Sequence, residues 1–243
     1  MGRGGASLAA AVSADACAKL LARSFLFRGL ARDVLARIGE ISTLKRIAAK
    51  DTLFWEGDEA DALYGVIEGM VRIWLHGPDG KELTLSLMEP GDFFGEIALL
   101  DGLRRTASAS AFSDSELIVV PRRDFLALLE TEPRLSLHIV ELLCERLRSS
   151  TDRIRDATFL DLGTRLCKTL RALAIGHGRD EPGGTVIEAK LSQSMLAQFL
   201  GASREAVNKQ LKLLERDGVI GRAGNLIKIC DANALAERAH PPE

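Results

Sequence analysis

Residues 91–111 read GDFFGEIALLDGLRRTASASA, and the reading of this stretch decides the fold. Gly91 and Gly95 free the backbone where an apolar run ends, so Gly95-Glu96-Ile97-Ala98 can open a short helical turn. The first amides of a helix have no intrachain partner and carry a partial positive charge, which favours an anion. Arg105 adds a planar, permanently charged fork suited to phosphate oxygens. Glu96 cannot neutralise a phosphate, but its carboxylate can accept from hydroxyls, as carboxylates do for ribose. A phosphate and a ribose hydroxyl side by side point to a nucleotide. The competing reading is a surface turn with an exposed Glu and Arg, which composition alone favours.

Around this stretch, from about residue 43 to 120, short apolar runs alternate with turn residues. Thr52–Trp55, Ala62–Ile67, Met70–Leu75, Leu83–Met88 and Glu116–Val120 are separated by Gly57-Asp58, Glu68-Gly69, Gly77-Pro78-Asp79-Gly80 and Pro90-Gly91-Asp92. Such spacing predicts an antiparallel sandwich or barrel, with the GPDG segment at a hairpin tip. Trp55, Tyr64 and Trp74 could face a ligand, but core packing is the expectation for all three. Residues 15–42 before the strands have helical spacing.

After Pro121 the period becomes helical again. A long segment, about 134–158, carries an apolar stripe at Leu135, Ile139, Leu143, Leu147, Ile154 and Ala157 and charges on its other faces. This is close to a heptad seam and predicts either packing on its own domain or, by preference, a homodimer. Ser150 and Thr151 interrupt the line with hydroxyls, which a helix can satisfy by bonding back to its own carbonyls. Asp161–Ala174 reads as another helix, and residues 176–184, GHGRDEPGG, as a flexible loop.

The segment LSQSMLAQFLGASREAVNKQLKLLERDGVIGRAGNLIKI, residues 191–229, has the layout of a winged helix-turn-helix. Ser192 and Ser203 can each cap a helix, Gly201 makes the turn between them, and Arg222–Asn225 tips a hairpin wing. In this layout the second helix enters the major groove. Arg204 suits guanine, Glu205 can accept from cytosine, and Lys209 lies one turn on, with Ser203 and Asn208 on the same segment. Lys212 and Arg222 are read as phosphate contacts, which position without specifying.

The stretch from Gly91 resembles the phosphate-binding cassette of cyclic-nucleotide-binding domains. With its surroundings it resembles the cAMP receptor protein and FNR superfamily of transcription regulators over roughly residues 25 to 230. The resemblance implies an α+β chain: an antiparallel β-roll over 25–132 after a mobile tail at 1–24, a dimerisation helix at 133–158 and a winged helix-turn-helix domain at 159–236. It implies that Gly95, Glu96, Ile97, Ala98, Arg105 and Thr106 hold the cyclic phosphate and ribose. Counting back from Phe159-Leu160-Asp161, which matches the family's interdomain hinge, places Ser150 and Thr151 on hydroxyls that contact the base, one from each subunit. The implied effector is cAMP, with cGMP as the alternative because Thr106 can bond guanine; a different effector, or none, is the second reading. Lys209 stands where the cAMP receptor protein has Arg, so the target sequence does not transfer. Implied partners are a palindromic double-stranded DNA operator, a second copy of the chain and RNA polymerase; the family suggests an activator, and the sequence leaves activation or repression open.

Composition agrees. The chain has 243 residues, 47% apolar and 27% charged, enough for two domains with ordinary cores. The net charge is −2, yet residues 191–230 hold six bases (Arg204, Lys209, Lys212, Arg216, Arg222, Lys228) against three acids, which permits DNA binding without proving it. Cys17, Cys144, Cys167 and Cys230 lie far apart, so free thiols are expected rather than disulfides, zinc or an iron–sulfur cluster; no haem is expected either. No apolar run approaches the ~20 residues of a membrane span, and the first residues lack a convincing signal core. A cytoplasmic protein that does not engage membranes is expected. No Walker loop, HExxH, GxSxG or histidine-based triad is present, and His76, His138, His177 and His240 have no catalytic spacing, so catalysis is not expected.

Overall fold

In the computed structural model the described residues are Leu21, 24–77, 80–188 and 192–240. They divide into two compact units, one within Met1–Leu75 and Leu85–Leu147, the other within His76–Thr84 and Arg148–Glu243. The expected tail at 1–24, and Cys17 with it, lies outside the described residues, apart from Leu21 and Ser24, both buried.

The short apolar runs form strands. β1 (Thr43–Ile47), β2 (Thr52–Phe54), β3 (Ala62–Glu68), β4 (Val71–His76), β5 (Glu82–Met88), β6 (Phe93–Phe94), β7 (Ser108–Ala111) and β8 (Ser115–Pro121) make two four-stranded sheets, ordered β1-β8-β3-β6 and β2-β7-β4-β5. Each pair for which a register is resolved is antiparallel.

Successive residues of a strand face opposite sides, and three strands use both. Leu63, Phe93 and Ile118 join one apolar cluster, while their neighbours Tyr64, Phe94 and Leu117 join another inside the roll. The first cluster is completed by α1 (Arg32–Ile41), through Val34, Leu35 and Ile38, and by α3 (Arg122–Thr131), through Phe125 and Leu128. A strand buried on both faces loses the alternating pattern, which is why β6 is invisible as a strand in the sequence.

The long helix α4 runs Pro133–Phe159. Its apolar stripe is not the single seam the sequence predicts. Leu135 and Ile139 are buried in the cluster with α1 and α3, and Leu143 packs against it. The exposed large apolar residues are instead Leu137, Val140, Leu147 and Ile154, with Phe159 at the end of the helix and exposed Cys144 and Thr151 among them. The sequence pattern merges two faces about a third of a turn apart because both repeat near 3.5 residues.

In the second unit Asp161 caps α5 (Leu162–His177), accepting from the Gly163 and Thr164 amides at 2.7 and 3.1 Å and from Thr164 Oγ1 at 2.8 Å. These bonds hold its carboxyl below the usual range. Residues 176–184 are not the predicted loop. Gly178–Glu181 is strand β9, turned back by Pro182-Gly183 onto β10 (Gly184–Ile187), with Gly184 opposite Glu181. Arg179, ion-paired to Glu181 and Glu188, offsets the charges that made the stretch read as loop. The hairpin continues a sheet ordered β11-β12-β10-β9, where β11 (Ile220–Ala223) and β12 (Leu226–Ile229) are the expected wing. Helices α6 (Gln193–Leu200), α7 (Arg204–Arg216) and α8 (Ala232–Ala239) complete the unit. No described helix is long and apolar enough to cross a membrane.

Candidate functional site

The cassette forms where β6 ends. Gly95 adopts a left-handed conformation (φ 85°) and starts α2 (Glu96–Asp101). A Cβ at Gly95 would fall 2.6 Å from Arg105 Nη1, so the position needs glycine for space as well as for its backbone angle. Arg105 is held at both ends. Its amide donates to Asp58 O at 2.8 Å, and its carbonyl accepts from the Gly57 amide at 2.8 Å.

Glu96 and Arg105 are not the exposed pair of the competing reading: they are 4% and 3% exposed. The Arg105 guanidinium donates from Nη1 to Gly95 O at 2.9 Å and from Nη2 to Ala62 O at 2.8 Å. It lies over Phe54 and Tyr64, 4.3 and 5.5 Å from the ring centroids. Its Nε–H is buried without an acceptor. Asp61 pairs with the guanidinium at 3.4 Å from Nη2 but is 80% exposed, so water screens most of that charge. The cation is thus enclosed by carbonyls and ring faces, and its direct ion-pair partner among the described residues is exposed.

Burial pushes the Glu96 carboxyl above the usual range, and Arg146, neighbouring amides and Arg105 offset this only in part. Arg146, on α4, places Nε 3.7 Å from Glu96 Oε1 and donates from Nη2 to Phe93 O at 3.2 Å. Burial, with the charge of Asp61 as a second cause, pushes the Tyr64 phenol up to about 12.

The structure therefore brings Gly95, Glu96 and Arg105 together, with Ala98 buried behind them. Ile97 is 41% exposed and Thr106 is exposed. Ser150 and Thr151 are exposed on α4, and Ser150, four residues after Arg146, shares its face of the helix. The sequence reading missed Arg146, whose one signal is that same four-residue spacing. It also missed the Phe54–Tyr64 enclosure of Arg105. Tyr64 and Trp74 are packed as expected, whereas Trp55 is half-exposed.

The second cluster is the helix pair. Ser192 Oγ accepts from the Met195 amide and Ser203 Oγ from the Ala206 amide, both at 3.2 Å. Gly201 between them is left-handed (φ 59°). Leu196, Leu200, Val207, Leu211 and Leu214 are buried, which leaves Ser203, Arg204, Glu205, Lys209 and Lys212 on the open side, all exposed. Asn208 is half-buried, accepting from Gln193 Nε2 at 2.9 Å, and Arg222 is paired with Glu215 at 2.8 Å.

Residues 44–132 match the cyclic nucleotide-binding domain family and residues 164–238 the Crp-like helix-turn-helix domain family. The CRP-like cAMP-activated global transcriptional regulator of Mycobacterium tuberculosis is 33% identical over 221 residues, 91% of this chain and 99% of that protein. The chain belongs to the CRP/FNR family of transcription regulators. The family's cAMP-activated global transcriptional regulator CRP from Pasteurella multocida is 31% identical over 188 residues, 76% of this chain and 89% of its own. Among solved structures, the c-di-GMP responsive global regulator CLP of Xanthomonas campestris superposes with a TM-score of 0.73 at 28% identity, covering 82% of this chain and 99% of its own. This CRP/FNR-family chain is accordingly a DNA-binding transcription regulator with a cyclic-nucleotide-binding domain.

Proposed function

We propose that this regulator acts as a homodimer switched by a cyclic purine nucleotide, cAMP before cGMP, bound at the cassette. The observation that carries the reading is Arg105. A buried guanidinium with an unsatisfied N–H and only an exposed ion-pair partner is costly, and a bound phosphate supplies both the charge and the acceptor. The first amides of α2, at Glu96, Ile97 and Ala98, complete the phosphate cradle, and Glu96 accepts from the ribose hydroxyl.

The second copy is argued from α4. Leu137, Val140, Cys144, Leu147, Thr151 and Ile154 repeat at alternating steps of three and four, all exposed, which is the pattern of a two-stranded seam. Thr151 lies on that seam and Ser150 on the Arg146 face, so Thr151 serves the partner's nucleotide and Ser150 its own. The base is then read by both copies, which lets ligand energy depend on dimer geometry. Arg204, Glu205 and Lys209, with Ser203, read the operator in successive major grooves. Lys212 contacts phosphate, while Asn208 and Arg222 join by exchanging Gln193 and Glu215 for DNA.

Titration calorimetry with cAMP and with cGMP, on wild type and on Arg105→Leu, tests the ligand. Binding by wild type that the substitution abolishes is expected; no binding of either nucleotide by wild type overturns it. The likeness to the c-di-GMP responsive regulator supports a second reading with a different effector, and c-di-GMP is the third ligand to titrate.

A further inference from the structure

The β4–β5 hairpin does not stay with the strands at its base. Its tip, described at residues 76–77 and 80–84, groups with the C-terminal helices in one compact unit. Three consecutive residues of β5 make the attachment. Glu82 Oε2 accepts from Gln198 Nε2 of α6 at 3.1 Å. Leu83, 38% exposed, stands beside the turn between α6 and α7, its Cδ1 3.6 Å from where a Cβ on Gly201 would be. Thr84 is fully buried, and its carbonyl accepts from Arg153 Nη1 of α4 at 3.3 Å.

A polar contact, an apolar contact and a backbone tether on successive residues fix the tip in direction as well as place. The face they engage is not the one that reads DNA, because Ser203, Arg204, Glu205 and Lys209 remain exposed. An occluding contact would have covered them.

We propose that the hairpin tip is a brace for the helix-turn-helix pair, and that Glu82 and Leu83 are positioning residues for DNA binding. Two recognition helices must meet grooves about 34 Å apart, so a helix pair held in one orientation gives up less freedom on binding than a loose one. The proposal rests on the DNA-reading face assigned above.

The test uses the full-length protein with Glu82→Ala, Gln198→Ala, the double variant and Glu82→Gln, which keeps an acceptor for Gln198. Hydrogen exchange without DNA should show faster exchange at residues 80–84 and 198–202 in both Ala variants, no further gain in the double variant, and wild-type behaviour in Glu82→Gln. Affinity for a duplex that wild type enriches from a random-sequence pool should fall about three- to tenfold in Glu82→Ala, roughly the worth of one hydrogen bond. Glu82→Gln should restore it, and cAMP binding should be unchanged throughout. Unchanged exchange in Glu82→Ala, or tighter DNA binding by it, overturns the brace. If wild type enriches no duplex, the DNA-reading assignment fails, while the exchange measurements still decide the brace.

Discussion

Glu96 Oε1 lies 3.7 Å from Arg146 Nε, so a carboxylate of the cassette, almost wholly buried, faces a cation of the long helix. The distance is too long for a hydrogen bond of ordinary strength, and burial outweighs the attraction. The carboxyl is therefore pushed up, not down. The site holds an acid whose burial disfavours its charged form.

That preference fixes the sign of a pH effect. A carboxyl whose folded value is raised contributes stability below its unfolded value, near 4.5, and loses that contribution as pH climbs through the raised folded value. Glu96→Gln removes the titration. The melting temperature of the unliganded protein should thus fall relative to Glu96→Gln as pH rises above 4.5, followed by circular dichroism. Parallel curves would show that Glu96 does not feel its burial. The same substitution should weaken cAMP binding, because an amide accepts from a ribose hydroxyl less strongly than a carboxylate.

Ser150 and Thr151 are predicted to act in different ways. Replacing either with Ala should weaken cAMP binding about three- to tenfold in the dimer, the loss of one hydrogen bond. In a monomeric background only Ser150→Ala should still matter. Calorimetry in both backgrounds separates the two, and equal effects in the monomer would contradict the assignment of Thr151 to the partner's nucleotide.

The monomeric background should come from Leu147→Asp. Leu147 is 69% exposed, so the change costs this chain's own fold little, yet it places a charge in the middle of the seam. Sedimentation should show the proposed dimer reduced to a monomer, with a lower melting temperature that no longer depends on protein concentration. A variant that still sediments as a dimer would rule out this seam.

For DNA, Glu205→Ala should relax base preference at one position of the selected site by about 1–3 kcal/mol of discrimination. Lys212→Ala should instead weaken binding across all sequences and lower the salt slope by about one. Anisotropy titrations at several salt concentrations tell these apart. If Glu205→Ala behaved like Lys212→Ala, Glu205 would not face a base edge.

Much of this was legible in the sequence because glycine and serine carry local instructions. Gly95, Gly201, Ser192 and Ser203 act where their spacing says they should. The two-residue strand β6 escaped because Phe93 and Phe94 face different clusters and leave no alternation to read. The α4 seam was drawn through Leu135 and Ile139 because periodicity alone does not tell an inward face from an outward one. Arg146 escaped for a related reason: its partner, Glu96, is 50 positions away in sequence.

The enclosure of Arg105 has a practical consequence. Tyr64 is the one tyrosine of the chain, stacked on Phe94 with ring centroids 5.6 Å apart and lying against the Arg105 guanidinium. Burial pushes its phenol up to about 12. Phenolate absorbance in the whole protein therefore comes from a single ring beside the cassette, and the fold carries its own optical reporter at the position where an anion would arrive.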